Sequence, residues 1–280
     1  MSQMNRSAKS LIEPSAAYLI LLAALLFSVF PTFWILSTSV KTRMDIFSIP
    51  PKWIFVPTLE HFQNVLTDFP FGKFFFNSLV VATTTTIVAI ALGSPTAYAF
   101  ARYTFRGSKD LSFWILSLRM APPIAFILPL YLLMSNLKLL DTQLGLIIVD
   151  LTFALPIVVW IMIGFFQSIP RELEESALVD GSSRLGAFWR IVLPLSLPGL
   201  WTTAVISFIF CWNEFLYALI LTGANARTLP VAISAFNTQR GILWGEMGAA
   251  SVIAILPVLM FATFVHRHFV KGLTLGAVKG

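Results

Sequence analysis

Arg119, Asp150 and Glu214 are charged residues inside long apolar runs, with Asn213 beside Glu214 and Tyr217 three positions further on. An acid, an amide and an aromatic ring so close together suit a hydroxylated solute. Hydroxyls would take the polar groups, and a ring face would take the aromatic. A guanidinium in an apolar run needs an acid or water nearby, and either Asp150 or Glu214 can supply the acid. An ion pair that only fixes helix packing remains the other reading of the same residues. Metal and nucleophile chemistry have less foundation. His61, His266 and His268 show no metal-ligand spacing, and Cys211 cannot form an intramolecular disulfide because it has no second cysteine. Cys211 stands in an apolar run, as a small buried hydrophobe does. The phosphate-cradling pattern G-x-x-x-x-G-K-[ST] is missing, and Gly107-Ser108-Lys109 has the wrong spacing for it. No catalytic residue and no metal ligand is assigned.

The second concentration of charge is Ser168–Gly199, between two apolar runs. Ser168 can cap a helix, Pro170 suits a first turn, and Glu172, Glu174 and Glu175 complement a helix N-terminus. Gly181 offers a left-handed terminus. Ser182 or Ser183 can then cap a second helix, with Leu185, Phe188, Trp189 and Val192 on one face and Pro194 ending it. Two short helices joined at a glycine form either a docking element or a hairpin resting on lipid headgroups.

The elements that must position these groups are apolar helices. Of the 280 residues, 57% are hydrophobic and 11% charged, whereas a soluble chain carries about a quarter charged residues. Lipid-facing helices absorb the 26 phenylalanines. Apolar stretches occur near Ala16–Ser37, Phe74–Phe100, Leu111–Met134, Leu144–Phe166, Leu197–Leu221 and Met247–Phe264. Each approaches or exceeds the roughly 20 residues that a helix needs to cross a bilayer. The expected fold is all-α with six transmembrane helices. Residues 1–15 then form a cytoplasmic N-terminus, 16–37 the first span and 38–73 an outer loop. Residues 74–265 form the core, carrying a cytoplasmic loop at 168–196, and 266–280 form a cytoplasmic tail. The first run is too long for a cleaved signal peptide and is read as an anchor. Arg6 and Lys9 precede it, and lysine and arginine are denser in the segments this topology places inside. The net charge of +6 reflects that orientation; no nucleic-acid partner is expected. The outer loop, with Pro50, Pro51, Pro57 and Pro70 around Leu59–Leu66, reads as a folded cap with one short amphipathic helix. Arg119 falls about 15 Å along the third run at helical rise. Pro122, Pro123 and Pro129 interrupt that helix's ladder, as a kink or as an unwound cavity wall.

The loop also carries a family pattern. Glu175-Ser176-Ala177, three residues, Gly181, nine residues and Ile191-Val192-Leu193-Pro194 resemble the EAA loop of ATP-binding-cassette importer permeases. Ser176 in place of alanine is the one departure, and Asp180 precedes the glycine. The likeness implies a type I importer permease fold in the bacterial cytoplasmic membrane. It implies that the loop docks on an ATPase through Glu175, Ser176, Ala177, Asp180, Gly181, Ile191, Leu193 and Pro194. It also implies partners: two separate ATPase subunits that bind ATP and Mg, a second permease subunit and an extracytoplasmic solute-binding protein, all in membrane lipid. This chain then has no cofactor of its own and is no enzyme.

Pro50-Pro51-Lys52-Trp53, Trp212-Asn213-Glu214-Phe215, Thr228-Leu229-Pro230-Val231 and the end Gly272-Leu273-Thr274 to Gly280 resemble the maltose-type, carbohydrate group. That group implies a sugar or related solute, two different permease chains, and a tail that can reach into the ATPase dimer. An amino-acid or polyamine importer is the alternative within the family. An ion-coupled transporter would show inverted repeats, and a membrane-embedded enzyme a catalytic constellation inside the spans; neither pattern is present in the sequence.

Overall fold

The computed structural model describes the backbone of residues 4–239 and 241–276, and side chains at 18–239 and 241–263. The expectations attached to Arg6, Lys9, His266, His268 and the tail from Gly272 lie outside the described side chains. Among the described residues fourteen α-helices follow one another: α1 (Met4–Ser39), α2 (Arg43–Ile46), α3 (Glu60–Thr67), α4 (Phe71–Arg102), α5 (Ser108–Ser117), α6 (Pro123–Asn136), α7 (Gln143–Ser168), α8 (Glu172–Val179), α9 (Arg184–Ala187), α10 (Leu193–Leu195), α11 (Leu197–Trp212), α12 (Leu216–Leu221), α13 (Leu229–Ser234) and α14 (Trp244–Gly276). A π-helical turn, Phe188–Val192, joins α9 to α10, and a two-residue hairpin, Asn237–Thr238 with Gly241–Ile242, precedes α14.

By length and composition, α1, α4, α7 and α14 can each cross a membrane. The bent pair Arg184–Leu195 and Leu197–Trp212, with 73° between its arms, brings the number to five. The difference from the six expected runs has a local cause. The run Leu111–Met134 is split between α5 and α6 because Pro122 and Pro123 offer no backbone N–H to the preceding turn. The run Leu197–Leu221 is split at Asn213–Phe215, where polar side chains compete for backbone groups. There Asn213 Nδ2 donates to the Ile209 carbonyl, and the Glu214 carboxylate accepts from the Tyr217 and Ala218 N–H groups.

The chain divides into two compact units. In the unit of residues 1–69 and 236–253, apolar side chains of α1 from Tyr18 to Leu36 are largely exposed, as a lipid-facing helix requires. The helix expected at Leu59–Leu66 is α3, which buries His61 and Val65. His61 Nε2 lies 2.9 Å from the Lys41 carbonyl, and its Nδ1 lies 3.2 Å from Glu246.

In the unit of residues 70–235 and 254–280, α4, α7 and α11 pack on one another. Val81, Met134, Leu146, Val149, Tyr217 and Leu221 form a buried cluster there. A Cβ at Gly93 would collide with Val158, so this glycine permits the close approach of α4 and α7. Both helices carry an internal proline, Pro95 and Pro156.

Candidate solute cavity and docking loop

The loop after α7 is built on a buried anchor. In Glu172–Val179, Glu174 and Ala177 stand three residues apart on one helix face, and both are buried. The Glu174 carboxylate accepts from the Tyr98 hydroxyl and from Arg102 Nε at 3.0 Å. Arg102 also donates to the Ile169 carbonyl at 2.9 Å, tying the end of α4 to the turn after α7. Below this contact Phe188 packs on Tyr98 (4.7 Å between centroids) and on Phe166 (6.1 Å).

The opposite face is free. Glu175, Ser176, Asp180 and Gly181 are exposed, as are Val179, Leu185 and Trp189. Gly181 turns the chain at φ +86, a conformation that costs most side chains free energy. Ser183 rather than Ser182 caps α9, accepting from the Gly186 N–H at 3.1 Å.

Three local readings are corrected. Ser168 does not begin α8; it ends α7 and its hydroxyl donates to the Phe165 carbonyl. The apolar residues of the second helix do not share a face. Phe188 and Val192 are buried while Leu185 and Trp189 are exposed, because each pair is four residues apart and the two pairs are offset. Pro194 does not stop the helix. The missing proline N–H is accommodated by a widened turn in which the Leu193 N–H reaches the Phe188 carbonyl, and α10 continues to Leu195.

The second site is a cavity of about 710 Å³ where the two split runs face each other. Arg119, in the break between α5 and α6, and Asn213, Glu214 and Phe215, in the break between α11 and α12, line it. Phe126, Phe153, Phe210 and Tyr217 supply aromatic wall. Arg119 lies 5.0 Å over the Phe210 ring and donates weakly to the Phe153 carbonyl at 3.4 Å. Among the described residues it forms no ion pair with Asp150 or Glu214. Glu214 caps α12 through hydrogen bonds of 2.8 and 2.9 Å. Tyr217 stacks on Phe153 with an interplanar angle of 11°.

Asp150 is not part of the lining. It is fully buried on α7, and neither carboxylate oxygen has a hydrogen-bond partner among the described residues. The proline break is therefore a cavity wall and not only a kink. Helix ends and polar side chains exposed to a void allow multiple hydrogen bonds to a solute without unfolding anything.

Sequence reasoning gave Glu174 only a helix N-terminal role and passed over Tyr98 and Asp141. Of these, Glu174 was legible, since it shares the helical phase of Ala177 while Glu175 does not. Asp141, at φ +54 before α7, accepts from the N–H groups of Gly223, Asn225 and Ala226. Partial burial opposes its charge, but these donors and the Asn225 amide outweigh it and hold the carboxyl below the usual carboxylate range. No local pattern announces a partner some 80 residues away.

Membrane-length helices, an aromatic cavity at two helix breaks and an anchored loop with an exposed face describe a polytopic membrane protein. The profile of the binding-protein-dependent transport system inner membrane component matches residues 89–275. A probable ABC transporter permease, y4oR of Sinorhizobium fredii, is 41% identical over 89% of this chain and 90% of its own length. The trehalose/maltose transport system permease MalG of Thermococcus litoralis is 34% identical over 94% and 96%. The sulfoquinovosyl glycerol permease SmoH of Agrobacterium fabrum is 35% identical over 90% and 89%. In the crystal structure of a bacterial ABC transporter that imports the acidic polysaccharide alginate, one chain shares the fold with a TM-score of 0.74 at 24% identity. That match covers 96% of this chain and 99% of the other. This chain belongs to the binding-protein-dependent transport system inner membrane component family. It is a multi-pass inner-membrane permease subunit of an ABC importer, and ATP binding and hydrolysis belong to separate subunits.

Proposed function

We propose that this subunit moves a sugar or related solute by alternating access, and that the aromatic cavity at the two helix breaks is its share of the path. The cavity carries the reading. Arg119, Asn213, Glu214 and Tyr217 place a guanidinium, an amide, a carboxylate and a phenol around a void with aromatic faces, a chemistry suited to hydroxyls and sugar rings. The relatives described as trehalose/maltose and sulfoquinovosyl glycerol permeases favour that class.

The topology that goes with this reading has six crossings and both ends in the cytoplasm, the split runs 111–134 and 197–221 each counting as one. A second, different permease chain completes the pathway, two ATPases dock from the cytoplasm, and an extracytoplasmic binding protein delivers solute. Closure of the ATPases draws in the loop at residues 168–196 through Glu175, Asp180 and Gly181, with Ile191, Leu193 and Pro194 passing the movement to α11. Rigid-body rocking then exposes the cavity to one side at a time.

The test is uptake and ATP hydrolysis by the reconstituted complex across a panel of sugars, polyols, amino acids and polyamines. A sugar or polyol that stimulates both is expected. Stimulation by amino acids or polyamines alone would overturn the solute class.

A further inference from the structure

A second cavity, of about 340 Å³, lies wholly within residues 1–69 and 236–253 and shares no lining residue with the first. Trp34 and Thr38 of α1, Trp244, Met247 and Ser251 of α14, and Lys41 just beyond α1 line it. The two helix ends pack directly, since a Cβ at Gly248 would sit 3.2 Å from the Ser39 nitrogen.

Lys41 is the unusual group. It is 3% exposed, yet among the described residues its ammonium has no acid within ion-pair reach and no hydrogen-bond acceptor. Two rings flank it instead, Trp34 at 5.1 Å and Phe55 at 5.0 Å. The neighbouring acids are committed elsewhere: Asp45 holds Lys52 at 2.5 Å and the Thr42 hydroxyl, and Glu246 holds His61. Cation–π contact offsets only part of the cost of burying an ammonium.

Depth points to the class of anion that suits Lys41. The apolar stretch of α1 ends at Ser39 and that of α14 begins at Trp244. Lys41 and Trp244 therefore mark one membrane–water boundary, where tryptophans gather and lipid phosphates lie. Trp53 packs edge-on against Trp34 at the same level.

We propose that this cavity binds a phospholipid, its phosphate on the Lys41 ammonium and an acyl chain along Trp34, Met247 and Ser251. The mostly apolar wall suits a chain and gives a free inorganic anion little to hold.

The experiment is native mass spectrometry of the full transporter complex after graded delipidation, with the retained lipid identified. Wild type should keep one phospholipid more than Lys41→Met or Ser251→Leu, with retention at least about tenfold weaker in both variants. Lys41→Arg should retain it. Short-chain phosphatidylglycerol should displace it and inorganic phosphate should not. Equal retention by Lys41→Met, displacement by inorganic phosphate, or no retained phospholipid in wild type would overturn the proposal. If Lys41→Met fails to assemble, the contrast between Lys41→Arg and Ser251→Leu decides, since equal retention by those two would also overturn it.

Discussion

The docking loop and the cavity use their glutamates in opposite ways. Glu174 is buried and spends its oxygens on Tyr98 and Arg102, so that the outer face of the loop stays free. Glu214 holds its own backbone open at a helix break, so that the inner face of the bundle stays free. On the proposed reading, the loop is the anchored part that passes ATPase movement to the spans. The cavity is built of interrupted helices, whose ends can move without tearing a continuous hydrogen-bond ladder. Changes in the loop should therefore damage coupling or stability, while changes in the cavity should alter solute preference.

The largest expected effect on transport is at Gly181. A β-branched residue at φ +86 costs of order 1–3 kcal/mol, and no neighbour lies near enough to relieve or worsen that strain. Gly181→Val should leave the spans inserted and ATP hydrolysis present, yet lower transport by about tenfold or more. Uptake and hydrolysis measured in the same vesicles check this, and normal transport by the variant would remove Gly181 from the coupling role.

The largest effect on stability is that of Glu174→Ala, which strands the Arg102 guanidinium and should cost about 3–5 kcal/mol in thermal unfolding. Adding Arg102→Met should restore part of the loss; a double variant no better than the single one would mean that the pair is not coupled.

In the cavity, Glu214→Ala removes a cap worth about 1 kcal/mol. Its transport defect should be a several-fold rise in apparent solute KM, with hydrolysis still coupled. Loss of coupling there would erase the contrast between the regions.

The smallest effect belongs to Asp141. Its folded pKa lies below its ordinary value, so its stabilising contribution is full above the unfolded pKa of about 3.9. That contribution is lost as pH falls through the folded value. The stability gap between wild type and Asp141→Asn should be present at neutral pH and shrink below about pH 4; a gap independent of pH would assign the residue a purely steric role.

Legibility in the sequence followed the range of the interaction. Gly181 and the capping Ser183 are fixed by contacts within a few residues, so spacing alone placed the turn and the two helices around it. The helices α4 and α7 were visible as apolar runs for the same reason. The run at Leu197–Leu221 read as continuous because hydropathy does not register a break made by polar side chains turning onto their own backbone, whereas the prolines of Leu111–Met134 marked the break there in the sequence. Arg119 was recognised as costly, but its partners are an aromatic ring on α11 and a carbonyl on α7, which no acid-seeking rule would select. Tyr98 and Arg102 meet Glu174 across more than 70 positions and carried no mark in the sequence.

The central claim is that the exposed face of residues 172–195 is where the ATPase seats. Val179 is 87% exposed on that face and Ile54, in the other compact unit, is 94% exposed, while the native Cys211 is buried. Val179→Cys, treated with a short thiol crosslinker in membranes containing the whole transporter, should give an adduct of this chain with the ATPase, and Ile54→Cys should not. An ATPase adduct at Ile54→Cys with none at Val179→Cys would contradict the account.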